Sequence, residues 1–255
     1  MVGILSEKRM ELPIGKISDL IKIDEYADWQ ITVYPTYPKI LCVIASLPSD
    51  FNLAVLKSVF QQSVPVDVIV LLPKKISGET VVEKVSKVLN DGLQHIKLED
   101  FDYILRVDSD TVLPPSFLEE NLKGKPDLCG GAGYAMVIKT STFLRIMKGK
   151  FHPKSDDSYT CYKFMKENCN VGKNRVTPIL LRTSGKHHGI TYFFNRGKAM
   201  YRLGYEPFHV LASFRWALGN IFAVFGYFAA LLKREKKFDV ADFVWRKQVR
   251  MLLFK

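Results

Sequence analysis

Three short β-branched runs, separated by segments of helical spacing, constrain this chain more than any other feature. "KILCVIASLPSD" (39–50) is an apolar run ended by Pro48, Ser49 and Asp50, the pattern of a buried strand. In "NLAVLKSVFQQ", Leu53, Leu56, Val59 and Phe60 then recur at helical spacing, with Ser49 or Asp50 placed to cap. "VDVIVLLP" (66–73) reads as a second buried strand. "ETVVEKVSKVLNDG" (79–92) reads as a helix with Val82, Val85 and Leu89 on one face and Gly92 as its stop. "DYILRVD" (102–108) is a third strand, and Pro115 or Ser116 starts the short helix "SFLEENL". Such alternation predicts an α/β domain with a mostly parallel sheet. Ligands of such sheets bind beyond the carboxyl ends of the strands. Ser46 to Asp50 and Asp108 to Asp110 both lie at such ends, so they are expected to meet at one cleft.

The remaining pattern is looser. "LCGGAGYAMVIKTSTFLRIM" (128–147) predicts two strands and a short helix around a glycine cluster. "SDDSYTCYKFMKENC" (155–169) predicts a helix capped by Ser155, with Tyr162, Met165 and Cys169 on one face. Residues 1–38 form an N-terminal extension that ends in the linker "YPTYPK". No internal repeat or low-complexity tract occurs.

Composition narrows the partners. Hydrophobic residues make up 47% of the 255, enough for a core and too many for a disordered chain. The formal net charge of +11 points to an anionic partner: nucleic acid, a phosphate-bearing substrate or an acidic membrane surface. The four cysteines, Cys42, Cys129, Cys161 and Cys169, form no C-x-x-C pair. That argues against zinc and redox motifs and fits a reducing setting. "MVGILSEKRMELPIG" has too short an apolar run for a secretory signal, so a cytoplasmic location is expected.

Asp108-Ser109-Asp110 carries the chemistry. Two carboxylates flanking one residue at a strand end can hold Mg²⁺ or Mn²⁺ and leave room for substrate phosphates. Such a metal neutralises a departing diphosphate. By itself the motif also fits a phosphatase nucleophile or a plain turn.

"VIASLPSD", "RVDSDTVLPPSFLE", "CGGAGYAMVIKTSTFLRI" and "DDSYTCYKFMKENC" occur in the order found in the inverting glycosyltransferases of family 2, and the chain resembles that family from Lys39 to Cys169. The resemblance implies the nucleotide-binding α/β fold called GT-A, a nucleoside-diphosphate sugar donor and Mg²⁺ or Mn²⁺. It implies that Ser46, Leu47, Pro48 and Asp50 touch the nucleotide, with Asp108 and Ser109 near the ribose and diphosphate. Asp110, supported by Asp108, would hold the metal. Gly131 to Gly133 and Asp156 would floor the donor-sugar pocket, and Asp157 would be the catalytic base. Physics fits that last role: an inverting transfer needs one base to take the acceptor proton, and the first turn of a helix favours an ionised carboxylate. The chain departs from the family at "LLPKKISGE" (71–79), where many members carry an Asp-Asp-Gly-Ser run. That leaves the nucleotide unidentified.

Two other readings compete. "ILRVDSDTV" also fits the D-x-D-x-[TV] signature of haloacid-dehalogenase-like phosphatases, with Asp108 as nucleophile. Against it, two strands precede Asp108, and the polar "KGKFHPKSDD" rather than a buried strand leads to the later acidic pair. The other rival is a catalytically inactive, membrane-attached sugar- or lipid-binding module. Residues 178–207 mix bases with aromatics; Arg182, Lys186, His187, His188, Arg196 and Lys198 could grip a diphosphate or an anionic acceptor. No RNA-binding signature accompanies them, so nucleic acid is not the expected partner.

The domain plan is an extension (1–38), a catalytic domain (39–207) and a membrane-attachment segment (208–255). "VLASFRWALGNIFAVFGYFAALL" (210–232) is the longest apolar run; its part from Trp216 to Leu232, interrupted only by Asn220, is near the lower limit of roughly 17–25 residues for a span. In the basic tail, Ala241, Val244, Trp245, Val249 and Leu252 approximate one helical face, with Arg246, Lys247 and Arg250 off it, the pattern of an interfacial helix on anionic lipid. A single span would put this tail on the far side, against the positive-inside rule. Helices lying in the cytoplasmic interface are therefore favoured over a span. Gly219, Ala223, Gly226 and Ala230 also allow the run to pack as a core or dimer helix. A membrane-bound enzyme implies a lipid-linked acceptor, as in the polyprenyl-phosphate sugar synthases that the chain resembles.

Overall fold

The computed structural model of the protein describes residues 2–4, 38–46, 51–72, 80–130, 134–181, 189–213 and 220–253. The expected alternation is present. Strand β2 (Ile40–Ala45) leads to helix α1 (Leu53–Phe60), β3 (Asp67–Leu71), α2 (Val81–Leu93) and β4 (Tyr103–Asp108). These strands pair in parallel, with Val43 beside both Ile69 and Arg106 and Ala45 beside Asp108. The order is β1-β3-β2-β4-β7-β6-β8, where β1 is Val2–Ile4, β6 Leu128–Cys129, β7 Ala135–Lys139 and β8 Val171–Gly172. The centre is parallel as expected. β1 and β7 join it antiparallel, β6 runs antiparallel to β7, and β8 parallel to β6. A two-stranded antiparallel sheet of β5 (Thr111–Val112) and β9 (Ile179–Leu180) sits beside the end of β4.

Both sheet faces are buried, which explains the near-continuous apolar runs. Ile40, Cys42 and Ile44 face a core with Val55, Val59 and Phe117, from α1 and α3 (Phe117–Leu122). Leu41 and Val43 face the other core, with Leu89 of α2, Phe143 of α4 (Thr140–Met147) and Phe164 of α5 (Asp156–Lys166). In β4, Tyr103, Leu105 and Val107 belong to the first core and Ile104 to the second. Arg106 and Asp108 follow the parity of Ile104.

Several local expectations need correction. The cap of α1 is Asn52, whose side chain accepts from the Ala54 N–H at 2.9 Å; Ser49 and Asp50 lie outside the described residues. Thr80 and Glu83 form a reciprocal capping box at the start of α2. Gly92 does not stop α2 but lies buried inside it. A Cβ there would stand 2.5 Å from Leu71 Cδ1, so the glycine serves close packing of helix on strand. In α5 the buried residues are Asp156, Thr160, Cys161 and Phe164; Cys169, expected to share a helical face with Tyr162 and Met165, lies beyond the helix.

Four helices follow: α6 (Ile190–Arg202), α7 (Pro207–Ser213), α8 (Asn220–Leu232) and α9 (Ala241–Leu253). α6 and α8 pack backbone to backbone. A Cβ on Gly197 would lie 1.8 Å from the Ala223 carbonyl oxygen, and one on Gly226 would lie 1.9 Å from that of Phe194. Ala223, Gly226 and Ala230 are thus the packing stripe of α8, while Ile221 and Phe225 are exposed. Among the described residues no helix is long and apolar enough to cross a membrane. The face expected of α9 is divided: Ala241 and Val244 are buried, whereas Trp245 and Leu252 are exposed. Its inner face also carries Gln248, whose Oε1 accepts the Glu206 N–H at 2.7 Å. The C-terminal helices are tied to the α/β part at Asp239, which takes the Tyr159 hydroxyl at 2.6 Å and the Lys163 ammonium, both from α5.

Candidate active site

The site is built where β4 ends. Arg106 is only 5% exposed, and a guanidinium this deep is tolerable only with charged partners. It has two. Nη2 donates to Asp108 Oδ1 at 3.2 Å. Nη1 stands 2.7 Å from Asp156 Oδ2 at an angle that makes no directed hydrogen bond; the contact is an ion pair. Around them lie the Met136 sulfur, 3.8 Å from Nη1, and the Phe151 ring, centred 5.9 Å from the guanidinium carbon. One arginine thus ties the strand ending in Asp108 to the helix beginning with Asp156 and Asp157.

The electrostatics follow from this packing. Burial opposes the Arg106 charge, but Asp156, Asp108 and Asp157 outweigh it and hold the guanidinium more basic than usual. Burial pushes the Asp156 carboxyl up to about 6 against the pull of Arg106, with Asp157 and Asp108 adding to the rise. Burial also raises Asp108, Arg106 opposes, and Asp110 and Asp157 add to the rise. The Asp108 side chain is still 40% exposed, so solvent limits how far burial acts. Asp156, Asp108 and Asp157 therefore act on one buried cation, and Asp110 acts on Asp108.

Asp157 lies in the first turn of α5, half-buried, and its Oδ1 accepts the Ser158 N–H at 2.5 Å. Ser155 occupies the N-cap position, but its side chain makes no cap bond, contrary to the expected cap. The turn is closed instead by the Tyr159 N–H on the Ser155 carbonyl at 3.0 Å and by the Thr160 hydroxyl on the Asp156 carbonyl. On the next turn, Tyr162 donates to the Tyr205 hydroxyl at 2.9 Å. Burial raises the Tyr205 pKa, the Tyr162 bond opposes, and the charges of Asp157 and Arg196 act on it with opposite sign. Arg196, on α6, thus acts on the same Tyr205 hydroxyl as Asp157, whereas Lys198, also expected at the diphosphate or acceptor, lies 3.9 Å from Glu235.

Ser46 is buried just beyond the end of β2, its N–H on the Leu71 carbonyl at 3.1 Å, one residue past Ala45, the partner of Asp108 in the β2–β4 register. Ser109 is half-buried in the turn, and the Asp110 carbonyl accepts the Leu181 N–H at 2.8 Å. Leu47, Pro48, Asp50, Gly131, Gly133, Arg182, His187 and His188 lie outside the described residues. Gly130 has φ +92°, and a Cβ there would lie 2.1 Å from the Ala135 carbonyl oxygen, so only glycine fits that bend. Sequence reasoning missed Arg106 by reading "YILRV" as a plain apolar strand. The available signal was a charge inside a buried strand two residues before an aspartate, which puts both on one face.

Among the described residues no three His, Cys, Asp or Glu side chains converge as a closed site requires. Asp108 and Asp110 are hard oxygen donors, and one or two carboxylates with substrate phosphates are what an open Mg²⁺ or Mn²⁺ site uses. The pair fits such a site, with Asp110 the freer donor because Arg106 holds Asp108 Oδ1.

No family model matches the chain, and neither does any curated protein. A solved mannosyltransferase from Pyrobaculum calidifontis, in complex with GDP-mannose and Mn²⁺, is similar over 91% of this chain and 88% of that one, at 12% identity and a TM-score of 0.45. A likeness that loose assigns no activity.

Proposed function

We propose that the protein is a metal-assisted, inverting glycosyltransferase. It moves a sugar from a nucleoside-diphosphate sugar to a membrane-linked acceptor, a lipid phosphate or lipid-linked glycan, at the cytoplasmic membrane face. The observation that carries this reading is the meeting of Asp108, with Asp110 next to it, and the Asp156–Asp157 helix start at Arg106, at the carboxyl end of a parallel strand.

Each residue then has a distinct task. Asp110, with Asp108, would hold Mg²⁺ or Mn²⁺, which when bound neutralises the diphosphate leaving group. Ser46 and Ser109 line the nucleotide side, and Asp156, locked by Arg106, forms a fixed wall of the donor pocket. With a glycan acceptor, Asp157 accepts the hydroxyl proton as the oxygen attacks the anomeric carbon from the face opposite the diphosphate; with an already ionised lipid phosphate there is no proton to take, and Asp157 orients the acceptor. Arg196 supplies positive charge on the acceptor side.

The phosphatase reading is weaker on two counts. Asp108 ends the central β4 after β2 and β3, and no strand leads from α4 to Asp156. Membrane attachment is supported by exposed apolar residues on the C-terminal helices, Phe208, Phe225, Leu232 and Leu253 among them, together with the bases of 233–250.

The test is a panel of nucleotide sugars with Mn²⁺, scored by released nucleoside diphosphate, with Asp110→Ala as control. Turnover of one donor, lost in the control, is expected. No hydrolysis or transfer from any donor, together with metal-dependent phosphatase activity, would sink the proposal.

A further inference from the structure

A cleft of about 540 Å³ opens between the 152–154 loop, α5 and the segment joining α8 to α9. None of Asp108, Asp110, Asp156 or Asp157 lines it. Its volume suits a small ligand, for which pockets run roughly 300–1,000 Å³.

One wall is aromatic. The His152 ring stacks on Tyr159 with centroids 4.2 Å apart and lies 4.2 Å from the Phe238 ring. Burial pushes the His152 imidazole down to about 4; Asp239 pulls the other way and Lys154 adds to the fall. The ring is therefore neutral at pH 7. The two acidic residues of the lining are already engaged. Asp239 takes the Tyr159 hydroxyl and Lys163, and Glu235 holds Arg202 at 2.7 Å. Lys154 has Glu83 at only 3.9 Å, and Lys237 lies over the rings of Tyr201 and Trp245. With Lys236 these make a positive mouth above an uncharged wall.

We propose that this cleft binds a phosphate ester, its anionic group on Lys154, Lys236 and Lys237 and its organic part against His152, Tyr159 and Phe238. Three mobile ammonium groups suit a multiply charged tetrahedral anion. A planar carboxylate is better matched by an arginine fork, and the Arg202 fork is occupied by Glu235. The ester could be water-soluble or a lipid headgroup, because Lys236 and Lys237 lie between the exposed Leu232 and Trp245.

Three forms of the full chain separate these sources: wild type, Lys236→Ala with Lys237→Ala, and Lys57→Ala with Lys123→Ala, which removes the same charge elsewhere. Circular dichroism checks that all are folded. Phenyl phosphate and inorganic phosphate are titrated by calorimetry; flotation uses phosphatidylcholine vesicles with and without phosphatidic acid. Phenyl phosphate should bind more tightly than inorganic phosphate. The cleft pair should weaken it by about tenfold or more, with the control within about twofold. Phosphatidic-acid flotation with the same variant pattern and no phenyl phosphate binding assigns a headgroup; the converse assigns a soluble ester. The proposal is overturned if wild type shows neither, if the cleft pair binds as wild type does, or if both double variants lose binding equally. Binding is read without turnover, so failure here leaves the transferase reading standing.

Discussion

The guanidinium of Arg106 stands 2.7 Å from a carboxylate oxygen of Asp156, and both groups are almost fully buried. This ion pair couples β4, which ends in Asp108, to α5, which begins with Asp156 and Asp157. Removing one partner strands the other charge in a low-dielectric core, while removing both removes the problem. Arg106→Met should therefore cost about 3–5 kcal/mol in urea unfolding. Arg106→Met combined with Asp156→Leu should recover part of it, the remainder being Asp108, which also loses its partner. A loss below about 1 kcal/mol in the single variant would show that the pair does not hold the site together.

His152 gives a pH signature. Its folded pKa of about 4 lies below the unfolded value near 6.5, so the unfolded chain binds more protons between them. Stability from this group rises as pH climbs through that window and is flat above it. Asp156, raised to about 6, has the opposite slope, but it is common to wild type and a His152→Phe variant. The variant should lose about 1–2 kcal/mol less than wild type between pH 7.5 and pH 5 in denaturant melts. Parallel losses would show that His152 titrates freely.

Gly226 tests the packing of α8 on α6. Its hydrogen faces the Phe194 carbonyl, where a Cβ would sit at 1.9 Å. Gly226→Ala must separate two backbones and should cost about 1–3 kcal/mol by urea unfolding. A change under about 0.5 kcal/mol would mean that the helices do not meet there.

Membrane attachment is tested by substitution. Deleting 233–255 would also remove Val244 from its core and Gln248 from its bond to Glu206. Phe208 and Phe225, 72% and 58% exposed, can be replaced without touching either. Phe208→Ser with Phe225→Ser should weaken flotation on anionic liposomes by about tenfold or more, since each ring inserted contributes roughly 1.5–3 kcal/mol. Binding should also fall with added salt. Unchanged binding would count against the interfacial face.

The sequence made the α/β alternation legible because a strand buried on both faces has to be apolar throughout, as "ILCVIA" is, while an amphipathic helix cannot be. Residues that pack across elements were harder to read. Gly92 looked like a helix stop, but its role depends on Leu71, a strand away. Tyr162 and Met165 were legible as sharing a face of α5, but not which face turns inward: that is set by Asp156 meeting Arg106, a partner 50 residues upstream. The run 210–232 was legible as apolar. Which apolar residues pack and which stay exposed depends on α6, through Gly197 and Phe194. In the site, the aspartates stood out as motifs, whereas Arg106 was hidden inside a strand, where only its cross-element partners explain it.

The central claim is a division of labour among the carboxylates: Asp110 with Asp108 serves the donor, and Asp157 serves the acceptor proton. The most direct measurement compares wild type, Asp110→Ala and Asp157→Asn with an active nucleotide sugar and a glycan acceptor that offers a hydroxyl, reading donor affinity by calorimetry with Mn²⁺ and turnover by nucleoside diphosphate release. The account predicts that Asp110→Ala loses metal-dependent donor binding. Asp157→Asn should keep donor affinity and lose roughly 10²–10⁴-fold in turnover, the range for a missing general base. Equal turnover of Asp157→Asn and wild type would contradict it.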